Sequence, residues 1–209
     1  PIKVIKKERG DSNKLIEEFM LLANRKIAET ISKSIKKDKQ GVFVYRIHDL
    51  PSQEKMADLA FFLRSLGHKV TLKDGVIPNH EINKLLTNLK GKNEQDTVHR
   101  AVIRSMAKAI YSTKNIGHYG LAFLYYTHFT SPIRRYPDIL VHRILVDFLN
   151  KKKVSNEKIK EYETISRIAS EQEKRASDAE RSSIKYKQVE YMSARIGEHF
   201  TGVVSGIKE

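Results

Sequence analysis

The sequence contains no cysteine, so a disulfide framework and any thiolate metal site are excluded. It also lacks any apolar stretch close to the roughly 20 residues that a membrane-spanning helix needs. The first residues include Lys3, Lys6 and Lys7, but no apolar run follows them to complete a signal peptide. These absences predict a protein of the reducing cytoplasm that does not contact a membrane.

Acidic residues are in short supply, because 25 aspartates and glutamates stand against 39 lysines and arginines. The formal net charge is +14, and the isoelectric point is about 9.8 for a mass of 24.1 kDa. An excess of this size favours a polyanionic partner, and nucleic acid is the commonest one. The alternative is that the lysine side chains only keep the surface solvated.

Apolar residues recur at helical spacing over most of the chain. The spacing predicts helices over residues 11–35, 51–66, 78–89, 96–110, 137–148 and 155–196. Strands are expected to be short, and the alternating segment VFVYRIH after Gly41 is the clearest of them. The pattern therefore predicts a helix-rich chain with a few short strands.

Proline is scarce, yet two of the five prolines lie within residues 130–138, which read TSPIRRYPD. Because Pro132 and Pro137 are five residues apart, we expect a tight turn followed by a helix that starts at Pro137. Helix N-termini attract anions, and a guanidinium group matches the geometry of phosphate oxygens. The stretch therefore predicts a phosphate-binding turn that carries Arg134 and Arg135.

Two long motifs are similar to motifs of the RNase II/RNase R exoribonuclease family, and they occur in the same order. They are LIEEFMLLAN near the N-terminus and GHYGLAFLYYTHFTSPIRRYPDILVHRIL around the arginine pair. That family also has the end of its catalytic RNB domain, and then the first strand of an RNA-binding barrel, where this chain reads RASDAER and GEHFTGVVSGI. The similarity is closest to the RNase R branch and covers nearly the whole chain.

The resemblance implies an α+β fold, namely the helix-rich C-terminal portion of an RNB-type ribonuclease catalytic domain with a few short strands. Residues 1–196 would form that portion, and residues 197–209 would begin a truncated C-terminal OB-type RNA-binding barrel. Since the chain starts at Pro1 and stops inside this barrel, we expect both ends to be cut from a longer protein.

The resemblance also implies a processive, Mg²⁺-dependent hydrolase that degrades single-stranded RNA from its 3′ end to nucleoside 5′-monophosphates. Arg134 matches the family's catalytic arginine, which holds the scissile phosphate and stabilises its developing charge. Glu17 matches a glutamate that contacts the terminal nucleotides, and Glu180 matches one near the 3′ end of the bound strand. The predicted RNA-binding set also contains Arg135, Ser131 and Thr130.

The magnesium site of that family is missing from this sequence. The family holds its metal with a cluster of aspartates, whereas no two of the nine aspartates here lie closer than nine residues apart. We therefore predict no metal ligand in this chain and expect the Mg²⁺ ligands of the parent enzyme upstream of Pro1. The chain alone is expected not to hydrolyse RNA.

The residues of the turn have structural interpretations as well. Arg135 suits an ion pair with Asp138 as readily as a phosphate contact. Thr130 and Ser131 favour a role as caps that shape the turn, with phosphate contact second. Asp138 and His142 are four residues apart on one helix face. A carboxylate that orients the imidazole is favoured there, and a pair of metal ligands is the alternative.

The other candidates also have alternatives. Arg134 would be an ordinary surface arginine if it paired with a carboxylate. Glu17 lies near a helix start, where the dipole favours acids whatever their function, and Glu180 lies in a helix rich in solvated charges. His118 and Tyr119 suit stacking on a base, or else a backbone hydrogen bond and core packing, respectively.

Two other classes of function stay open. One is a non-catalytic RNA-binding module that keeps the channel wall and lacks the metal site. The other is a helical protein whose long helix over residues 155–196 binds a partner. The sequence leaves the oligomeric state open.

Overall fold

A computed structural model of the chain describes residues 10–38, 41–152 and 154–202. The chain divides into two compact units, Pro1–His48 with Ala109–Glu198 and Asp49–Lys108 with His199–Glu209. The predicted helix-rich α+β fold is confirmed. Its helices are α1 (Asp11–Asp38), α2 (Gln53–Ser65), α3 (Asn79–Asn88), α4 (Gln95–Ser105), α5 (Tyr136–Leu149) and α6 (Asn156–Ser193), and its strands are β1 (Tyr45–Ile47) and β2 (Ile110–Ser112).

The core of the first unit forms around the segment that leads into β1. Phe43 and Val44 are almost fully buried there, together with apolar residues of α1 and α5. Strand β1 is shorter than the strand that the sequence predicts, because hydrogen bonds to residues outside β2 replace regular strand pairing. The Thr127 hydroxyl donates to the Val44 carbonyl oxygen at 2.7 Å, and the Arg46 N–H donates to the Tyr126 carbonyl oxygen at 3.0 Å.

The sheet of the first unit consists of β1 and β2 in antiparallel register, with Arg46 opposite Tyr111 and Ile47 opposite Ile110. The prediction that a helix continues to Ile110 is therefore wrong. The helix ends at Ser105, because Met106 adopts an extended conformation with φ −71° and ψ 149°. Pairing with β1 and burial of Tyr111 outweigh the helical spacing of the preceding residues.

The long helix α6 packs one side against the first unit and exposes the rest to solvent. Its N-terminus is capped by the Ser155 hydroxyl, which accepts the Lys158 N–H at 3.3 Å. Tyr162 and Ser166 are buried in its first half, and Ser170 accepts the N–H of Tyr111 in β2 at 2.9 Å. These contacts fix α6 beside the sheet, where its charged face borders the site described below.

The second unit is a helical assembly of α2, α3 and α4 around its own core. Helix α2 starts where the Ser52 hydroxyl accepts the N–H of Lys55. The strand predicted after His68 is reduced to a single bridge between Lys73 and Val76, around the expected turn. The core of the unit contains Met56, Leu59, Ala60, Leu63, Val70, Ile77, Ile82, Leu89, Val98 and Val102.

Two further expectations concern the chain ends and membranes. The predicted barrel start at residues 197–209 lies largely outside the described residues, since 203–209 are not described, and that boundary stays a prediction. None of the helices in the described part of the chain combines the length and apolar character that a bilayer crossing requires.

A matched pair of substitutions in α5 tests the core of the first unit. Leu140 is 1% exposed, whereas Leu149 on the same helix is 67% exposed. We expect Leu140→Ala to lower the free energy of unfolding by about 2–5 kcal/mol, because it removes buried apolar surface and leaves a cavity. Leu149→Ala should change it by about 0.5 kcal/mol or less. Urea denaturation followed by circular dichroism measures both, and equal effects would contradict the assigned core.

Candidate functional site

Residues 130–138, called here the arginine turn, form a tight turn followed by the first turn of α5. The Ser131 carbonyl oxygen accepts the N–H groups of Arg134 at 3.3 Å and of Arg135 at 3.2 Å. Serine followed by proline suits the first two positions of a β-turn. Pro137 then lies within the first turn of α5, where its missing N–H costs nothing. The predicted tight turn before a helix is confirmed.

The buried carboxylate of Asp138 fastens this turn to α5. Its exposed fraction is 0%. Its Oδ2 atom accepts the Ser131 N–H at 2.7 Å and the Arg135 Nη2 at 2.9 Å. An acidic group in the first turn of a helix is also favoured by the helix dipole. Asp138 therefore joins residues on both sides of the turn.

Two expectations about the turn are corrected by these contacts. Arg135 is the N-cap residue of α5, and no side-chain hydrogen bond caps the helix, so the hydroxyls of Thr130 and Ser131 do not serve as its caps. The β-turn places both of them too far ahead of the first helical turn. Asp138 and His142 have different partners, because His142 Nε2 bonds the carbonyl oxygen of Phe129 at 2.9 Å.

The two adjacent arginines have different environments. The Arg135 side chain is only 17% exposed and is paired with Asp138, which agrees with its structural interpretation. Arg134 is exposed, and its guanidinium group makes no hydrogen bond or ion pair with any described residue. The charge of Arg135 is therefore compensated inside the protein, whereas the charge of Arg134 is available to a ligand.

Arg134 and Arg135 border a cleft of about 420 Å³ between the start of α5 and α6, called here the arginine cleft. Glu180 of α6 lines the same cleft, so the structure brings three of the predicted site residues together. The remaining lining residues are Tyr111, Tyr136, Pro137, Ala169, Gln172, Glu173, Ala176 and Ser177. A guanidinium and a carboxylate in one cleft can bind a phosphate and a hydroxyl donor, respectively.

Sequence reasoning missed Arg46, which contacts two residues that line this cleft, Tyr111 and Glu173. Arg46 of β1 donates to Glu173 of α6 through both terminal nitrogens, with Nη2 3.0 Å from Oε1. The Arg46 guanidinium carbon also lies 4.6 Å from the centroid of the Tyr111 ring. These contacts place α6, and with it Glu180, at a defined position beside β1 and β2. No local pattern predicts the ion pair, since its partners are 127 residues apart.

His128 lies just before the arginine turn and is held neutral. Its Nδ1 atom and the Tyr111 hydroxyl are 2.8 Å apart. Burial, followed by the positive charges of Arg135 and Arg46, lowers the pKa of His128 to about 2. Burial also raises the pKa of Tyr111 to about 12. Both groups are therefore uncharged at neutral pH, so His128 adds no positive charge beside Arg134 and Arg135.

The helix α1 is attached to the segment before the turn through Asn24. The buried Asn24 side chain donates to the Tyr126 hydroxyl at 3.2 Å and accepts the Phe129 N–H at 2.9 Å. Glu17, two helical turns earlier, is exposed and is not among the residues that line the arginine cleft. The structure therefore does not bring Glu17 together with Arg134 and Glu180.

The segment around His118 is organised by backbone hydrogen bonds. His118 Nδ1 accepts the Leu121 N–H at 3.2 Å, and burial lowers the pKa of His118 to about 4. Gly120 donates to His48 Nδ1 at 2.8 Å, and a Cβ atom at this glycine would lie 2.8 Å from the same nitrogen. These contacts favour the structural interpretation of His118. Base stacking by His118 or Tyr119 stays a prediction.

The described residues do not fit a magnesium site. They contain no group of three histidine, cysteine, aspartate or glutamate side chains that could hold a metal ion. Asp138, the acidic residue at the centre of the turn, has one carboxylate oxygen occupied by an N–H and a guanidinium group.

Comparisons with known proteins agree with the fold. The family model of the RNB domain matches residues 1–151. Ribonuclease R of Aquifex aeolicus is 38% identical over 208 residues, which make up 99% of this chain and 29% of that protein. The chain thus spans less than a third of the length of this relative.

Solved structures are similar over the same extent. Mycoplasma genitalium RNase R in complex with ribose-methylated single-stranded RNA matches with a TM-score of 0.86 and 27% identity, over 100% of this chain and 32% of that chain. The complex of the same enzyme with double-stranded RNA matches with a TM-score of 0.81 and 27% identity, over 93% of this chain and 35% of that one.

The depressed pKa of His128 predicts acid sensitivity of the fold. The unfolded chain binds a proton at this residue below its ordinary pKa of about 6.5, whereas the folded chain does not until the pH nears 2. The contribution of His128 to the free energy of unfolding is therefore fully present above pH 6.5. It decreases as the pH falls below 6.5, by up to about 1.4 kcal/mol per pH unit. Urea denaturation between pH 7.5 and 4.5 should show a shallower fall in His128→Asn. Parallel pH profiles of the two proteins would contradict the buried, neutral imidazole.

Proposed function

The chain belongs to the RNB domain family, and we propose that it is the C-terminal part of the catalytic domain of a longer 3′-to-5′ exoribonuclease. The parent enzyme hydrolyses single-stranded RNA to nucleoside 5′-monophosphates and acts in the cytoplasm. This part supplies the phosphate-binding arginine and one wall of the RNA channel. The observation that carries the proposal is the exposed, unpaired guanidinium group of Arg134 beside the arginine cleft.

Arg134 binds the scissile phosphate and stabilises the negative charge that develops on it during hydrolysis. A phosphate needs donors that are both unbonded and accessible. Arg134 is exposed and has no bonded donor among the described residues, whereas Arg135 gives its Nη2 to Asp138 and has its Nε buried. Arg135 contributes positive electrostatic potential at the cleft, while its Nη2 donates to Asp138. The Ser131 hydroxyl lies in the same turn and supplies a further donor to the phosphate, whereas the Thr130 hydroxyl is buried and has no hydrogen-bond partner among the described residues.

Glu180 and Glu17 act on the terminal nucleotides. A carboxylate repels phosphate but accepts hydrogen bonds from the ribose hydroxyls, which distinguish RNA from DNA. Glu180 lines the same cleft as Arg134, which supports contact with the nucleotide next to the scissile bond. Glu17 is exposed on α1 and is not among the residues that line this cleft, so it contacts a different part of the terminal nucleotides from Glu180.

The parent enzyme depends on Mg²⁺ that residues outside this chain hold. The metal, when bound, supplies the activated water and charge neutralisation that phosphodiester hydrolysis needs. The residues of this chain bind and orient the RNA strand. On its own, the chain therefore does not hydrolyse RNA.

A non-catalytic RNA-binding module is the second candidate function. In this candidate the longer protein, like the described residues, has no metal-binding group. The two candidates differ in the longer protein, which releases mononucleotides only if the chain belongs to an active enzyme.

The contribution of Arg134 is tested in the full-length enzyme. Arg134→Ala should lower the turnover of 5′-labelled single-stranded RNA by about 100- to 1000-fold, since a donor to the developing charge is lost. Arg167→Ala is the matched control, because Arg167 is an exposed arginine of α6 that pairs with Glu171 and does not line the arginine cleft. Turnover that falls equally in both variants would refute the assignment.

The dependence of hydrolysis on the rest of the enzyme is tested with the isolated chain. Incubation of 3′-labelled RNA with the purified chain and Mg²⁺ should release no labelled mononucleotide, because the metal ligands are absent. The full-length enzyme under the same conditions should release it. Metal-dependent release by the chain alone would show that its own residues form a complete site.

A further inference from the structure

We propose that Asp138 is a positioning residue for the cleavage reaction, because it holds the backbone of the arginine turn in the shape that directs Arg134 at the RNA. The inference rests on the proposed role of Arg134 and adds a residue that does not touch the substrate. It concerns the buried carboxylate, its two donors and the exposed arginine between them.

The first step of the argument is the energetic cost of the carboxylate. Asp138 is fully buried, and a buried carboxylate is unfavourable unless charged and polar partners compensate it. Here a guanidinium group and a backbone N–H compensate Oδ2 at 2.9 and 2.7 Å, whereas the buried Oδ1 has no hydrogen-bond partner among the described residues, so the carboxylate depends on these two donors alone. Both donors belong to the arginine turn, so the interaction that stabilises the carboxylate also shapes the turn.

The second step is the path of the backbone between the two donors. Ser131 is fixed at both of its peptide groups, since its N–H donates to Asp138 and its carbonyl oxygen accepts the N–H groups of Arg134 and Arg135. The Asp138 N–H in turn donates to the Arg135 carbonyl oxygen at 3.2 Å. Arg134 therefore lies in a closed hydrogen-bonded loop whose two ends meet at one carboxylate.

The third step is the consequence for Arg134. Its side chain is exposed and makes no hydrogen bond or ion pair with a described residue, so only the backbone of the turn fixes the position of its Cα atom. The loop through Asp138 supplies that constraint. Catalytic groups displaced by about 1 Å lose about 100-fold in rate, so a looser turn should impair turnover while the protein stays folded.

Asp138→Asn separates the charge from the shape of the residue. An asparagine keeps an oxygen that can accept the Ser131 N–H, but it removes the negative charge that Arg135 pairs with. In the full-length enzyme we expect this variant to lower kcat by about 10- to 100-fold. The KM for single-stranded RNA should change less than kcat, because contacts along the rest of the strand remain.

Asp147→Asn is the matched control on the same helix. Asp147 pairs with Lys158 at 3.4 Å and with Lys152 at 3.5 Å and does not line the arginine cleft. This variant should keep kcat within about twofold of the unmodified enzyme. It loses only ion pairs to two exposed lysines, and such pairs contribute little to stability.

A double-mutant cycle with Arg134→Ala decides whether Asp138 acts through Arg134. If it does, Asp138→Asn should lower the residual kcat of Arg134→Ala by less than about threefold, because the group that it positions is already gone. Losses that multiply in the double variant would overturn the proposal, as would an Asp138→Asn enzyme with unchanged kcat. An Arg134→Ala enzyme with normal kcat would instead refute the proposed function itself.

Folding is checked by the thermal midpoint of each variant. If Asp138→Asn does not fold, Arg135→Lys provides the same test from the other partner, because lysine keeps the charge but loses the guanidinium fork. The cycle is then measured with Arg135→Lys and Arg134→Ala. Coupled losses support the proposal, and losses that multiply, or a normal kcat in Arg135→Lys, overturn it.

Discussion

The contact between the buried Asp138 carboxylate and the arginine turn determines what the site can do. One oxygen accepts a backbone N–H of the turn and a guanidinium nitrogen of Arg135, so hydrogen bonds join the turn to the start of α5. This arrangement also gives the two adjacent arginines different environments. Arg135 neutralises the carboxylate beneath the turn, and Arg134 presents its charge at the surface.

Charge is also compensated at the residues next to the cleft. Arg46 is paired with Glu173 through two nitrogens and lies on the Tyr111 ring, and His128 stays neutral beside both arginines of the turn. Around the cleft, internal partners thus occupy Arg46 and Arg135. A net charge of +14 favours attraction of a polyanion from a distance, and in the proposed function Arg134 provides the local contact at which a phosphate binds.

Local sequence patterns predicted most helices but little of the site's internal geometry. The apolar spacing that predicts α1, α5 and α6 depends only on neighbouring residues. The spacing of Pro132 and Pro137 likewise predicted the turn. Strand β2 was not predicted, because the helical spacing of the preceding residues extends to Ile110 and the strand forms only by pairing with β1. The Arg46–Glu173 pair links residues 127 positions apart, and the choice between Arg134 and Arg135 depends on which one a buried carboxylate reaches. Such contacts leave no periodic signal in the sequence.

The most direct test of this account is the salt dependence of RNA binding, measured with the full-length enzyme in EDTA. Each lost phosphate contact to a single strand lowers the slope of log K against log salt by about 0.7. The account predicts that Arg134→Gln lowers the slope by this amount and that Arg135→Gln changes it less. A slope that is unchanged in Arg134→Gln but reduced in Arg135→Gln would contradict the assignment of Arg134 as the phosphate ligand.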